Sequence, residues 1–196
     1  MSKELTREQW LQHAVTLLRV DAMDKGIEVP QVQVSCSWPG GGDSQKRIGE
    51  CWSRKASSAG INEIFISPKI EESDKVISIL AHELVHAVDD CANGHNAKFK
   101  ALGTKFGLEG KATSMSLPAP AAQTFAAVMI AQHGPFPHKT LDKSQSPVKK
   151  QNTRMLKCEC HACGAVWRLT QKTVDMVEGE MSCPACHEGE GNVTIG

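Results

Sequence analysis

Five consecutive residues, His82-Glu83-Leu84-Val85-His86, carry the most specific chemistry in this chain. On a helix, residues four apart share a face, so both imidazoles can address one ion. Glu83 stands beside the first histidine and can reach a water on that ion without ligating it. A zinc ion lowers the pKa of such a water, and the carboxylate takes its proton as a carbonyl is attacked. The competing reading is two surface histidines on a polar helix face. The apolar flanks Val76, Ile79, Leu80, Leu84 and Val88, spaced for a strongly amphipathic helix, count against it.

A catalytic zinc ordinarily has three protein ligands and one open position. The spacing of metzincins would put the third histidine at position 92, which is Ala92, and that class is excluded. His95 follows a turn at Gly94, where the chain can fold back toward the metal, and is the favoured third ligand. Glu109, on a later segment, is its rival. Zinc peptidases also place a Tyr, His or Arg on the developing oxyanion. The sequence contains no tyrosine. His138, set between Pro135-Phe136-Pro137 and the following Lys139, is the candidate for that role, against the plainer reading of a solvent-exposed histidine.

A second group of ligands lies near the C-terminus. Cys160-x-x-Cys163 and Cys183-x-x-Cys186 are separated by nineteen residues, a spacing that suits one four-thiolate structural zinc. Gly164 fits the knuckle turn, and 165–170 and 179–182 are the expected ribbon strands. Cys158, His161 and His187 are surplus ligands that could replace a cysteine, and a redox dithiol is the alternative to a metal. Cys36, Cys51 and Cys91 read as ordinary core or surface thiols.

The elements that must hold these groups follow from periodicity. Thr6-Arg7-Glu8-Gln9 has capping-box spacing before a helix with Trp10, Leu11, Ala14, Val15, Leu17 and Leu18 on its apolar face. Three short strands are expected at 31–36, 47–52 and 63–67, separated by the Gly-rich loop 39–43 and by 57–60. The strand at 63–67 reads either as core or as the edge along which an extended substrate pairs. The metal helix is expected from about Ser73 to Cys91, capped by Ser73 or Asp74 and broken by Asn93-Gly94. Helices from near Asn96 to Gly107 and from 121 to 132 complete the first part. This makes an α+β domain over 1–138, a basic linker over 139–156 and a zinc ribbon over 157–196.

The run His82-Glu83-Leu84-Val85-His86-Ala87, followed by Gly94-His95-Asn96-Ala97-Lys98-Phe99, resembles the SprT-like metallopeptidases. The two cysteine pairs resemble the zinc ribbon that many members carry. Arg47-Ile48-Gly49-Glu50-Cys51-Trp52, Ile64-Phe65-Ile66-Ser67-Pro68 and Gly134-Pro135-Phe136-Pro137-His138 are similar to phage and prophage proteins of this type. The resemblance implies a zincin-like catalytic domain with zinc on His82, His86 and His95 and with Glu83 as the catalytic residue. Relatives of Spartan cleave proteins crosslinked to DNA, so the resemblance also implies DNA-associated protein substrates.

Composition is compatible with this. The 196 residues carry 22 Lys and Arg against 22 Asp and Glu, and 40% are hydrophobic, the balance of a soluble globular chain. No apolar run approaches the ~20 residues of a membrane helix, and no signal peptide is apparent, so no membrane partner and a cytoplasmic location are expected. Charge is uneven: residues 139–157 hold six basic and one acidic residue, whereas 158–196 hold two basic and six acidic. The basic linker could contact DNA phosphates alongside the ribbon, or serve only as a solubilising tether. The sequence thus points to a zinc metallopeptidase with one catalytic and one structural zinc acting on a protein or peptide. The alternative is a DNA-binding zinc protein or scaffold without proteolytic activity.

Overall fold

A computed structural model describes residues 5–40, 47–142, 155–177, 181–186 and 193–195. The chain divides into two compact units, Met1–Lys143 and Ser144–Gly196. Most of the expected linker, at 143–154, and the surplus ligand His187 lie outside the described residues.

The first unit opens with α1 (Arg7–Asp24), whose capping box is present: Thr6 accepts from the Gln9 backbone N–H and Gln9 returns a bond to Thr6. One face of α1 buries Trp10, Leu11, Ala14, Val15, Leu18 and Ala22. Strands β1 (Val32–Cys36), β2 (Gly49–Trp52) and β3 (Asn62–Ile66) form one sheet in the order β1-β3-β2. β1 runs parallel to β3 and β2 antiparallel to it. The strand at 63–67 is therefore central, with both backbone edges already paired. It cannot accept an added strand, and among the described residues β1 and β2 are the edge strands.

Helix α2 (Ser73–Val88) packs on β2 and β3 and against α3 (Ala97–Phe106) and α4 (Ala119–His133). Its buried Val76, Ile77, Leu80 and Leu84 join a core shared with α1, the sheet and Phe99 and Phe106 of α3. Each such side chain contributes about 1.5–3 kcal/mol on burial. Both ends of α2 depart from the sequence expectation. Glu72 occupies the cap position without a side-chain bond. Ser73 is buried, and its hydroxyl instead accepts the Phe136 N–H at 3.0 Å.

At the other end α2 stops at Val88, three residues short of the expected Cys91 and before the Asn93-Gly94 break. Asp90 and Cys91 take left-handed backbone, with φ of 52° and 60°. That conformation costs roughly 1–2 kcal/mol per non-glycine residue. Long-range bonds offset it: the Asp90 carboxylate accepts from the Arg54 N–H at 2.8 Å and from Asn62 Nδ2 at 3.0 Å. Asn96 then caps α3, accepting from the Lys98 and Phe99 N–H groups, and Gly107 ends it at φ 108°.

The second unit has β4 (Leu156–Cys160), β5 (Val166–Leu169), a short α5 (Gln171–Met176) and β6 (Val193–Ile195), with strand order β5-β4-β6. β5 falls where a ribbon strand was expected. Its partner is β4, which precedes the first knuckle, and not the segment 179–182. Of that segment, 181 and 182 carry no strand and 179–180 lie outside the described residues. The fold is mixed α and β with two small sheets. No helix among the described residues is long and apolar enough to cross a membrane.

Candidate metal centres

The long α2 holds His82 and His86 on one face, and the turn after it returns His95 to them. The Nε2 atoms of His82 and His95 are 3.2 Å apart, as are those of His86 and His95. A tetrahedral ion with metal–nitrogen bonds of about 2.05 Å requires ligand nitrogens about 3.3 Å apart. The three ligand atoms lie within 4.8 Å of one another, so the group could hold a metal ion.

The surroundings prepare the rings for that role. His82 Nδ1 lies 2.9 Å from the Met115 carbonyl, to which it donates, leaving the Nε2 lone pair for the metal. Phe99, from the first turn of α3, stacks on the His86 ring at 4.2 Å and meets His95 edge-on at 5.1 Å. Burial holds the His82 pKa below its ordinary value. Burial, with the neighbouring His82 and His95, brings His86 down to about 3. Two of the three donors are therefore neutral imidazoles at neutral pH, which is the protonation state ligation requires.

Glu83 is not part of the triad, but it faces the same cleft, and only 6% of its surface is exposed. Burial raises its pKa to about 8; Cys91 and Glu50 push the same way and Arg47 opposes them. Its carboxylate rests on the backbone of β2. A Cβ built on Gly49 would stand 2.4 Å from Glu83 Oε1 and 2.6 Å from Ile79 Cγ2. The cleft, about 640 Å³, is lined by Arg47, Gly49 and Glu50 on one side and by Ser78, His82, Glu83, His95 and Thr113–Ser116 on the others. A larger cleft of about 820 Å³ lies between α1 and β1 and contains none of these groups.

The remaining sequence candidates fall elsewhere. Glu109 is exposed and forms a backbone bridge with Ser116, outside the triad. His138 does not line the cleft. Its Nε2 donates to the Pro68 carbonyl at 2.8 Å, and its Nδ1 lies 3.4 Å from Arg7 Nη1, so it ties the segment after α4 to the loop before α2. Cys36, Cys51 and Cys91 are half-buried and belong to neither metal group.

Gly49, Arg47, Phe99 and the Met115 carbonyl escaped the sequence reading as parts of this site. Only Gly49 carried a signal, since a glycine inside a strand often marks close approach by another group.

In the second unit Cys160, Cys163, Cys183 and Cys186 converge as a second group that could hold a metal. Their Sγ atoms are 3.8 Å apart for Cys160 and Cys186 and 3.6 Å for Cys163 and Cys183. Four thiolates around an ion at about 2.3 Å would sit about 3.8 Å apart. Gly164, at φ 71°, closes the first knuckle, and its N–H donates to the Cys160 carbonyl at 2.9 Å. The Cys163 N–H, aided by that of Ala162, draws the Cys160 thiol down to about 7, while hydrogen bonds to Cys163 and Cys160 push the Cys186 thiol up to about 12, so that the protons are shared unequally over the metal-free cluster. The surplus groups are otherwise engaged: Cys158 is buried in β4 apart from the cluster, and His161 hydrogen-bonds Thr194.

Comparison with known families places residues 13–117, more than half of the chain, in a match to the model described as the SprT-like family. No curated protein and no solved structure matches the chain.

Proposed function

The chain belongs to the SprT-like family, and on that premise we propose that it is a zincin-like metallopeptidase with zinc on His82, His86 and His95. The observation that carries this reading is the convergence of three imidazole nitrogens, that of His95 lying 3.2 Å from each of the other two, beside one buried carboxyl group in an open cleft. When bound, zinc supplies the Lewis acidity that brings a water near neutral pKa and polarises a carbonyl.

The chain's own residues supply the rest. Glu83 is the base that removes a proton from the attacking water. Once it carries that proton, the same carboxyl group can return it to the leaving amine. Gly49 keeps the carboxylate against β2. The open edge of β2, beginning at Gly49 on the cleft wall, offers backbone groups to which an extended peptide can pair. The four cysteines of the second unit hold a structural zinc, in keeping with a unit too small to rely on its own core.

A DNA-binding or scaffold protein that keeps zinc without cleaving is the rival. A carboxyl group buried to 6% exposure in the cleft has no use in such a protein and is costly to place there. The test is incubation of zinc-loaded protein with a casein-type substrate and with a DNA-bound protein, using Glu83→Gln as control. Cleavage by the wild type and none by the variant is expected; cleavage that survives the substitution refutes the mechanism. The proposed preference for DNA-associated substrates rests on the family resemblance and the charge of the linker. It requires DNA affinity that falls as salt rises and weakens when Lys149 and Lys150 become Gln.

A further inference from the structure

A zinc peptidase needs a group that meets the negative charge developing on the carbonyl oxygen, and this chain has no tyrosine to provide it. His138 is engaged elsewhere, between the Pro68 carbonyl and Arg7. Among the described residues lining the cleft that holds His82, Glu83 and His95, Arg47 is the only Lys or Arg.

We propose that Arg47 is the catalytic residue that stabilises the oxyanion, an assignment that rests on the peptidase reading of the same site. Arg47 stands two residues before Gly49, where an added Cβ would meet the Glu83 carboxylate.

The side chain is held in place. Nη1 lies 2.5 Å from Glu50 Oε1 and donates to the Gly40 carbonyl at 3.3 Å. Glu50 is anchored in turn, since its Oε2 accepts the Gly40 N–H at 2.5 Å and its side chain is only 15% exposed. Among the described residues the clamp engages one guanidinium nitrogen, Nη1, whereas a guanidinium carries five N–H donors in a rigid plane. Arg47 itself is 52% exposed, so a substrate in the cleft can reach it. An arginine stays protonated at every pH at which the enzyme can work, which suits a group whose task is to meet an anion. Glu50 is then a positioning residue: it fixes the plane of the guanidinium before the charge develops.

Two other roles for Arg47 make different demands. A residue that only ties Gly40 to Glu50 would affect stability and not turnover. One that binds an acidic side chain of the substrate would affect KM and not kcat.

The test combines steady-state kinetics on a neutral peptide with binding of a phosphinic peptide, whose tetrahedral anion imitates the charged state, for wild type, Arg47→Ala and Arg47→Lys. Each protein is first shown to hold the wild-type zinc content. For Arg47→Ala the expected result is a kcat lower by about 10²–10³ with KM changed less than threefold. Phosphinate affinity falls by a similar factor, and affinity for the uncleaved peptide in a Glu83→Gln background is unchanged. Arg47→Lys falls between the two. If the wild type cleaves and Arg47→Ala retains kcat within threefold, or loses only KM, the assignment is overturned and the peptidase reading stands. If the wild type neither cleaves nor binds the phosphinate, the peptidase reading itself has failed and the assignment falls with it.

Discussion

Replacing Gly49 by Ala tests how tightly the Glu83 carboxylate is located. The new methyl group would lie 2.4 Å from Glu83 Oε1 and 3.0 Å from its Cδ, where ordinary contact begins at 3.4 Å. The carboxylate must therefore withdraw by about 1 Å. The methyl would also meet Ile79 Cγ2 at 2.6 Å, on a side chain buried in the core and unable to swing away. A misplacement of 1 Å at a reacting group costs on the order of 10²-fold in rate. Overpacking of this kind costs about 1–3 kcal/mol of stability.

The assay is kcat and KM on a peptide substrate, with metal content and a thermal melt on the same samples. The expected outcome is a kcat lower by about 10²-fold, zinc content unchanged and a lowered melting temperature. Adding Glu83→Asp, which shortens the side chain by one methylene, should cost less in the Gly49→Ala background than in the wild type. A Gly49→Ala protein with kcat within threefold of wild type would refute the claim that β2 locates Glu83. Strictly additive losses in the double variant would refute it too.

Two further outcomes follow from the two metal groups. In the metal-free protein burial holds the Glu83 pKa at about 8, against an ordinary 4.5. The folded state thus keeps a proton that the unfolded chain has released. This stability is fully present below about pH 4.5 and is lost as pH rises through about 8. Glu83→Gln cannot ionise, so its stability relative to wild type should grow by a few kcal/mol from pH 5 to 8.5, at about 1.36 kcal/mol per pKa unit. Parallel pH–melting curves for the two metal-free proteins would contradict this. Cys160→Ser should lower the bound zinc from two ions per chain to one, counted by atomic absorption, while peptide cleavage persists; a count that stays at two would remove the four-thiolate assignment.

What could be read without the structure was local. His82 and His86 lie one turn apart on a helix whose apolar period is written in the same residues. Gly94 permits the turn that brings His95 back within nine residues, and each cysteine pair spans four. Helical period, turn conformation and knuckle spacing are settled by neighbours in the chain, so both metal groups were visible from residue type and spacing. The resemblance to SprT-like proteins rested on the same short motifs.

The rest depended on contacts that span tens of residues. The central place of β3 follows from strand order, which no single strand encodes. Asp90 ends α2 early because Arg54 and Asn62 bind its carboxylate. Ser73 serves Phe136, not the helix it begins. His138 looked poised for catalysis after its two prolines, yet its ring closes onto Pro68 and Arg7. The Met115 carbonyl reaches His82 across 33 residues, and Gly49 meets Glu83 only because β2 packs on α2. The sequence by itself determined which residues can ligate a metal and which carboxylate stands beside them. Tertiary packing alone decided what orients them, what buries Glu83 and which cation shares its cleft, because these depend on distances between elements that meet only in the folded chain.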